Sequence, residues 1–225
     1  MSSFSHILYE CLDVSSIGFY MIHLERASER IPDIELLERN LLTSLHRFPG
    51  ADGVQLVSEG HPTKSIYGGT RTDGDVGCTV SHIRVCRDAL EKGYSHVVIF
   101  EDDCQMTTTL TELNSVLQNA KKGVPQWDLL IMDGCYIEYS DLTDTTTRVK
   151  NFTQTHAVIL NQTFMKELIA LYETYYKNNT TFAIDGIYSN VLKTTPCVGI
   201  GIREHGRLFR QKPGYSYILN GYRNH

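Results

Sequence analysis

The chain has 225 residues, 41% hydrophobic and 21% charged, close to ordinary globular values, which excludes a disordered tail, a collagen-like fibre and a mini-protein that needs staples. Lys and Arg number 21 against 26 Asp and Glu, a formal charge of −5, so no basic excess exists to draw nucleic acid. The longest apolar runs, such as Val97–Phe100, fall far short of the roughly 20 residues that a membrane-spanning helix needs.

Phe19–Leu24 predicts a first strand, and Ile34, Leu37, Leu41, Leu42 and Leu45, with Pro32 near the start, predict a helix. Val54–Val57 suits a second strand. Residues 58–76 are rich in Gly, Thr and Ser and read as a long loop, the kind that is usually functional. Gly77–Glu91 reads as a helix stopped by Gly93. Val97–Phe100 is apolar at every position, which suits a central strand covered on both faces. A helix over Leu110–Ala120 follows, then short buried strands at Leu129–Met132 and Ala157–Leu160. Asn161 is placed to cap the helix carrying Phe164, Met165, Leu168, Ile169 and Leu171. A helix over Ile184–Leu192, a late strand over Val198–Ile202 and an irregular basic tail complete the chain. This alternation predicts an α/β domain.

The six cysteines include no C-x-x-C pair, and no basic start or long apolar stretch opens the chain in the manner of a secretory signal. We therefore expect reduced thiols and a cytoplasmic location. The sequons at Asn151, Asn161, Asn178 and Asn179 are then coincidental. Cys78 and Cys86, eight apart on one helix, read as packing residues.

Glu101-Asp102-Asp103 carries the most chemistry, because it directly follows the buried strand, and ligands of open α/β sheets bind beyond the carboxyl ends of strands. Neighbouring carboxylates about 5 Å apart repel by roughly 3 kcal/mol at an effective dielectric near 20. A divalent cation of the Mg²⁺ or Mn²⁺ class, shared with phosphate oxygens, relieves that repulsion. Alternation along an extended segment sends Glu101 and Asp103 one way and Asp102 the other. A solvated acidic turn leading into the next helix is the plain alternative.

The ordered set of motifs resembles glycosyltransferase family 25, which includes lipooligosaccharide and collagen galactosyltransferases. The turn His23-Leu24-Glu25-Arg26-Ala27-Ser28-Glu29-Arg30 is similar to the family's N-L-D-R-x-x-x-R. Gly74-Asp75-Val76-Gly77-Cys78-Thr79-Val80-Ser81-His82 resembles its G-E-x-G-C-x-x-S-H helix start. Glu101-Asp102-Asp103 matches its E-D-D, and Trp127-Asp128, Thr155-His156-Ala157-Val158, Asp185 and Leu208–Gln211 with Ser216 follow in order. His23, Glu25, Asp75 and Val158 depart from the pattern.

The resemblance implies one GT-A-like domain over residues 18–218, a Rossmann-like mixed, mostly parallel sheet flanked by helices, between an N-terminal extension (1–17) and a C-terminal tail (219–225). It implies an inverting, metal-dependent transfer of galactose or glucose from a UDP-sugar to a saccharide or glycosylated protein, with Mn²⁺ or Mg²⁺. Residue by residue, Asp103 is the expected metal ligand, with Glu101 and a late His205, and Asp102, Arg26, Arg30, Ser81 and His82 are expected at the nucleotide-sugar donor. Asp185, at a helix start that favours its ionised form, is the expected base, with a plain helix cap as the other reading. A GT-A-like module that binds nucleotide sugar or glycan without turnover is the second hypothesis. A metal-dependent phosphohydrolase ranks last, since the D-x-D-x-T signature is missing.

Overall fold

The computed structural model describes residues 2–14, 16–203, 207–212, 214–216 and 221–223, the last two segments as backbone alone. Eight strands form one sheet in the order β2-β1-β3-β8-β5-β9-β7-β6. They are β1 (Ile17–His23), β2 (His46–Pro49), β3 (His96–Glu101), β5 (Leu129–Ile131), β6 (Cys135–Asp141), β7 (Thr146–Thr153), β8 (Ala157–Asn161) and β9 (Gly199–Ile202). Six of these run one way, and β7 and β8 run the other, so the sheet is mixed and mostly parallel as expected. A separate two-stranded ladder pairs β4 (Cys104–Met106) with β10 (Phe209–Gln211).

Among the described residues, seven α-helices flank the sheet: α1 (Phe4–Leu12), α2 (Ile31–Leu41), α3 (Gly53–Ser58), α4 (Asp73–Glu91), α5 (Leu110–Gly123), α6 (Gln162–Lys177) and α7 (Ile184–Thr194). Strand β3 shows how the period of two divides the core. Its Val97 and Ile99 pack under α3, α4, α6 and α7, while Val98 and Phe100 pack against α1, α2 and α5. All four are fully buried, which is why that run carries no polar residue. Residues 4–12, expected as part of an extension, form α1, and Phe4, Ile7, Leu8 and Cys11 join this second core.

Three local expectations are corrected. Val54–Val57 lies in α3, capped by Asp52, and the neighbouring strand is His46–Pro49. That strand is a sheet edge whose side chains, except the half-buried Phe48, are exposed, so no apolar pattern marks it. Helix α4 begins at Asp73, four residues before the expected start, because Thr72 and Asp75 form a reciprocal capping box. The late basic segment is not wholly irregular, since Phe209–Gln211 forms β10.

Glycine sets the contact between α3 and α4. A Cβ at Gly53 would lie 1.7 Å from the Asp73 carbonyl oxygen, and one at Gly77 would lie 2.7 Å from that of Ala51. Ser81 Oγ fastens the same junction, accepting from Ala51 N at 2.8 Å and donating to Gly77 O. Gly53→Ala is expected to cost about 2 kcal/mol through overpacking, read as a lower urea midpoint. An unchanged midpoint would show that the segment yields without strain.

Candidate functional site

The carboxyl ends of β2, β1 and β3 lie side by side and open into a cleft of about 520 Å³. Ile22 and Leu24 line it from β1 and its exit, Gly50–Gly53 in part from the β2 exit, and the first turns of α4 from across the opening. Glu101, Asp102 and Asp103 form its acidic wall, so the strand-end position inferred from sequence holds.

The expected alternation of the three acids fails after Glu101. The chain turns at Asp102 and Asp103, and both side chains meet Arg30. Arg30 Nη1 lies 2.9 Å from Asp102 Oδ1 and 3.3 Å from Asp103 Oδ2. His23 Nδ1 sits 2.9 Å from the other Asp102 oxygen, and Gln211 Nε2 donates to Asp103 Oδ2 at 2.8 Å. Burial pushes the Asp102 carboxyl up, only partly offset by Arg30 and His23. Asp103 Oδ1 is buried without a hydrogen-bond partner, an open acceptor that suits a cation ligand.

Glu101 faces the other way. Its Oε1 lies 3.2 Å from His82 Nε2 and accepts from Thr155 Oγ1 at 3.0 Å. Burial would raise this carboxyl, but His82, His156 and the Thr155 hydroxyl outweigh it and hold it below its ordinary value.

The other expected donor residues also reach the cleft. Arg26 lines it and pairs with Asp52, and Arg30 lines it while holding the acids. Ser81 lines it with its hydroxyl engaged by backbone. His82 is fully buried beneath the wall. His205 lies outside the described residues.

A second cleft of about 270 Å³ adjoins the first, sharing Cys78, Glu101 and Gln211 with it. Asp185 lines this second cleft together with Asp75, Gln154, Thr155 and His156. Asp185 sits in the first turn of α7 and accepts from Gly186 N at 2.7 Å. Burial raises its carboxyl despite backbone N–H bonds from Gly186 and Gln154. Behind it, His156 Nε2 lies 3.0 Å from Asp133 Oδ2, and Arg207 Nε donates to Asp133 Oδ1 at 2.8 Å.

Sequence reasoning passed over several of these groups. His23 stood out only as a departure from the Asn of the motif, yet it buttresses Asp102. Gln211 was visible only as part of the closing motif, since the β4–β10 pairing that brings it to Asp103 is non-local. Cys78, expected as packing, lines both clefts.

The family model for "Glycosyltransferase family 25 (LPS biosynthesis protein)" matches residues 17–187. A "Glycosyltransferase 25 family member" of Drosophila pseudoobscura pseudoobscura is 26% identical over 121 residues, 49% of this chain and 19% of that protein. A "Probable inactive glycosyltransferase 25 family member 3" of Rattus norvegicus is 32% identical over 66 residues, 29% of this chain and 12% of that protein. The matched stretch thus spans less than a fifth of these curated relatives. Among solved structures, a UDP-glucose pyrophosphorylase complexed with UDP-glucose aligns at 10% identity and a TM-score of 0.43, covering 93% of this chain and 78% of that one. No helix among the described residues is long and apolar enough to cross a membrane.

Proposed function

The chain belongs to glycosyltransferase family 25, and from that premise we propose that it transfers a hexose, galactose or glucose, from a UDP-sugar to a hydroxyl of a saccharide or glycosylated protein, with inversion at the anomeric carbon. The observation that carries this reading is the pair of joined clefts: one walled by Glu101-Asp102-Asp103, the other holding Asp185, with Glu101 common to both. Such a layout suits a donor in the first and an acceptor in the second, with the sugar carbon at their junction.

In this reading Asp185 accepts the proton of the acceptor hydroxyl, the freed oxygen bonds to C1, and the C1–oxygen bond to the diphosphate breaks with both electrons leaving on UDP. Arg26 and Arg30, both on the donor cleft, place positive charge where the diphosphate leaves. Asp103, with its open buried oxygen, would hold the divalent cation, Mn²⁺ or Mg²⁺, while Glu101, the other expected ligand, is turned toward His82 and Thr155. When bound, that ion supplies further charge neutralisation for the departing diphosphate.

The test is metal-dependent UDP binding and UDP release. Wild type is expected to bind UDP more tightly with Mn²⁺ and to release UDP from UDP-hexose, faster with a saccharide acceptor. Asp103→Asn is expected to lose the Mn²⁺-dependent part of binding, and an unchanged Mn²⁺ response would sink the ligand assignment. A non-catalytic nucleotide-sugar-binding module is the second reading. It is favoured by the inactive designation of the rat relative and by Arg30 already pairing with two of the acids. Metal-dependent binding with no UDP release from any hexose donor would select it.

A further inference from the structure

At the seam of the two clefts, beside the oxygen-rich spot at Asp103, three side chains of different chemistry converge. Cys78 and His82 are one helical turn apart on α4, so both project from the same face toward β3. There they meet Glu101, the last residue of that strand. His82 Nε2 lies 3.2 Å and Cys78 Sγ 4.0 Å from Glu101 Oε1, and the three ligand atoms all fall within 4.8 Å of one another. Zinc bonds of about 2.0–2.3 Å place tetrahedral ligand atoms about 3.2–3.8 Å apart, so small side-chain shifts close this triangle.

We propose that Cys78, His82 and Glu101 form a binding site for a thiophilic divalent cation of the zinc class, separate from the hard-cation position at Asp103. One sulfur, one imidazole nitrogen and one carboxylate oxygen select zinc over magnesium or manganese. Three protein ligands leave a fourth position for water, and that position opens on the clefts, since Cys78 and Glu101 line both. The surroundings also supply an outer partner. Tyr188 Oη lies 3.1 Å from His82 Nδ1. Without metal, His82 Nε2–H donates to Glu101 and the Tyr188 hydroxyl donates to Nδ1. With metal on Nε2, the proton resides on Nδ1 and is donated to the Tyr188 oxygen, and the hydroxyl serves either arrangement. Thr155 Oγ1 donates to the same carboxylate oxygen, Oε1, and helps to orient it. The site stands on these contacts alone and does not depend on the transferase reading.

The experiment uses the full chain, first with zinc alone in a chelator-competition titration, then with cobalt as a spectroscopic substitute. One ion per chain is expected, with visible bands of tetrahedral intensity and a near-ultraviolet thiolate-to-cobalt charge-transfer band. Cys78→Ser is expected to abolish the charge-transfer band and weaken zinc binding about 100-fold, and Tyr188→Phe to weaken it about 10-fold with the band retained. Asp103→Asn and Cys135→Ser, the latter removing an exposed thiol, are expected to leave the band intact. A band that survives Cys78→Ser but disappears in Cys135→Ser overturns the proposal. So does wild-type protein that binds cobalt with no charge-transfer band. If Cys78→Ser does not fold, Tyr188→Phe decides: undiminished zinc affinity there counts against the site.

Discussion

Replacing Asp185 with Asn is expected to lower hexose transfer by about 10²–10⁴-fold while UDP-hexose still binds, the usual loss when a positioned general base is removed. The substitution keeps an acceptor oxygen for the Gly186 N–H, so the start of α7 should survive. It removes the charge and the proton affinity. The carboxyl is raised by burial, against the backbone N–H groups of Gly186 and Gln154, with Asp75 and Glu101 pushing it further up. A base works only when ionised, so the wild-type rate should fall as pH is lowered through this raised pKa. The acid limb of kcat/KM therefore sits above the value of about 4 for an ordinary aspartate. In Asp185→Asn the residual rate should lack that limb. Transfer near the wild-type rate, or an acid limb unchanged by the substitution, would place the base elsewhere.

What the sequence disclosed about the fold divides along physical lines. Strands buried on both faces announce themselves, because nothing polar can sit there: the apolar runs Val97–Phe100, Leu129–Met132 and Ala157–Leu160 all fall on strands, the second ending one residue early at Ile131. The edge strand His46–Pro49 and the exposed strand Cys135–Asp141 carry no such pattern, and neither was foreseen. Their position is fixed by ladders to β1 and β7, which are tertiary facts. Glycines misled the reading of α4. Gly74 resembles a loop residue, and Gly77, the expected first residue of the helix, lies inside it where the chain at Ala51 and Gly53 passes too close for a Cβ.

The site divides in the same way. That the acids stand at a strand end was legible from the run before them, and that they line a cleft followed. Which acid faces which partner was not, because the turn at Asp102 breaks the period of two on which the expectation rested. The second cleft unites residues from α4, β3, the β7–β8 connection and α7, spread over more than a hundred positions, and local spacing could not assemble it. Charge pairing is equally non-local. Arg26 and Arg30 have Glu25 and Glu29 as sequence neighbours, yet Arg26 also reaches Asp52, and Arg30 reaches Asp102 and Asp103.

Arg30 now carries the second large effect. Its guanidinium lies against two carboxylates, and all three side chains are at most 15% exposed, so solvent cannot replace it cheaply. Arg30→Gln should leave Asp102 with His23 alone and Asp103 with Gln211 alone, at a cost of about 3 kcal/mol in unfolding free energy. Chemical denaturation reads this directly. The same variant also separates two views of the acidic wall. If the wall is built to hold a divalent cation, removing the built-in positive charge should make the protein more responsive to Mn²⁺, because an ion that binds only the folded state restores stability in proportion to its occupancy. Thermal unfolding with and without Mn²⁺ should then show a larger upward shift for Arg30→Gln than for wild type, and no shift for Arg30→Gln combined with Asp103→Asn. If instead the acids serve only to anchor Arg30, the variant is destabilised and Mn²⁺ does nothing for it. That result would remove the cation from the proposed reaction while leaving Asp185 and the joined clefts to be judged by the pH profile.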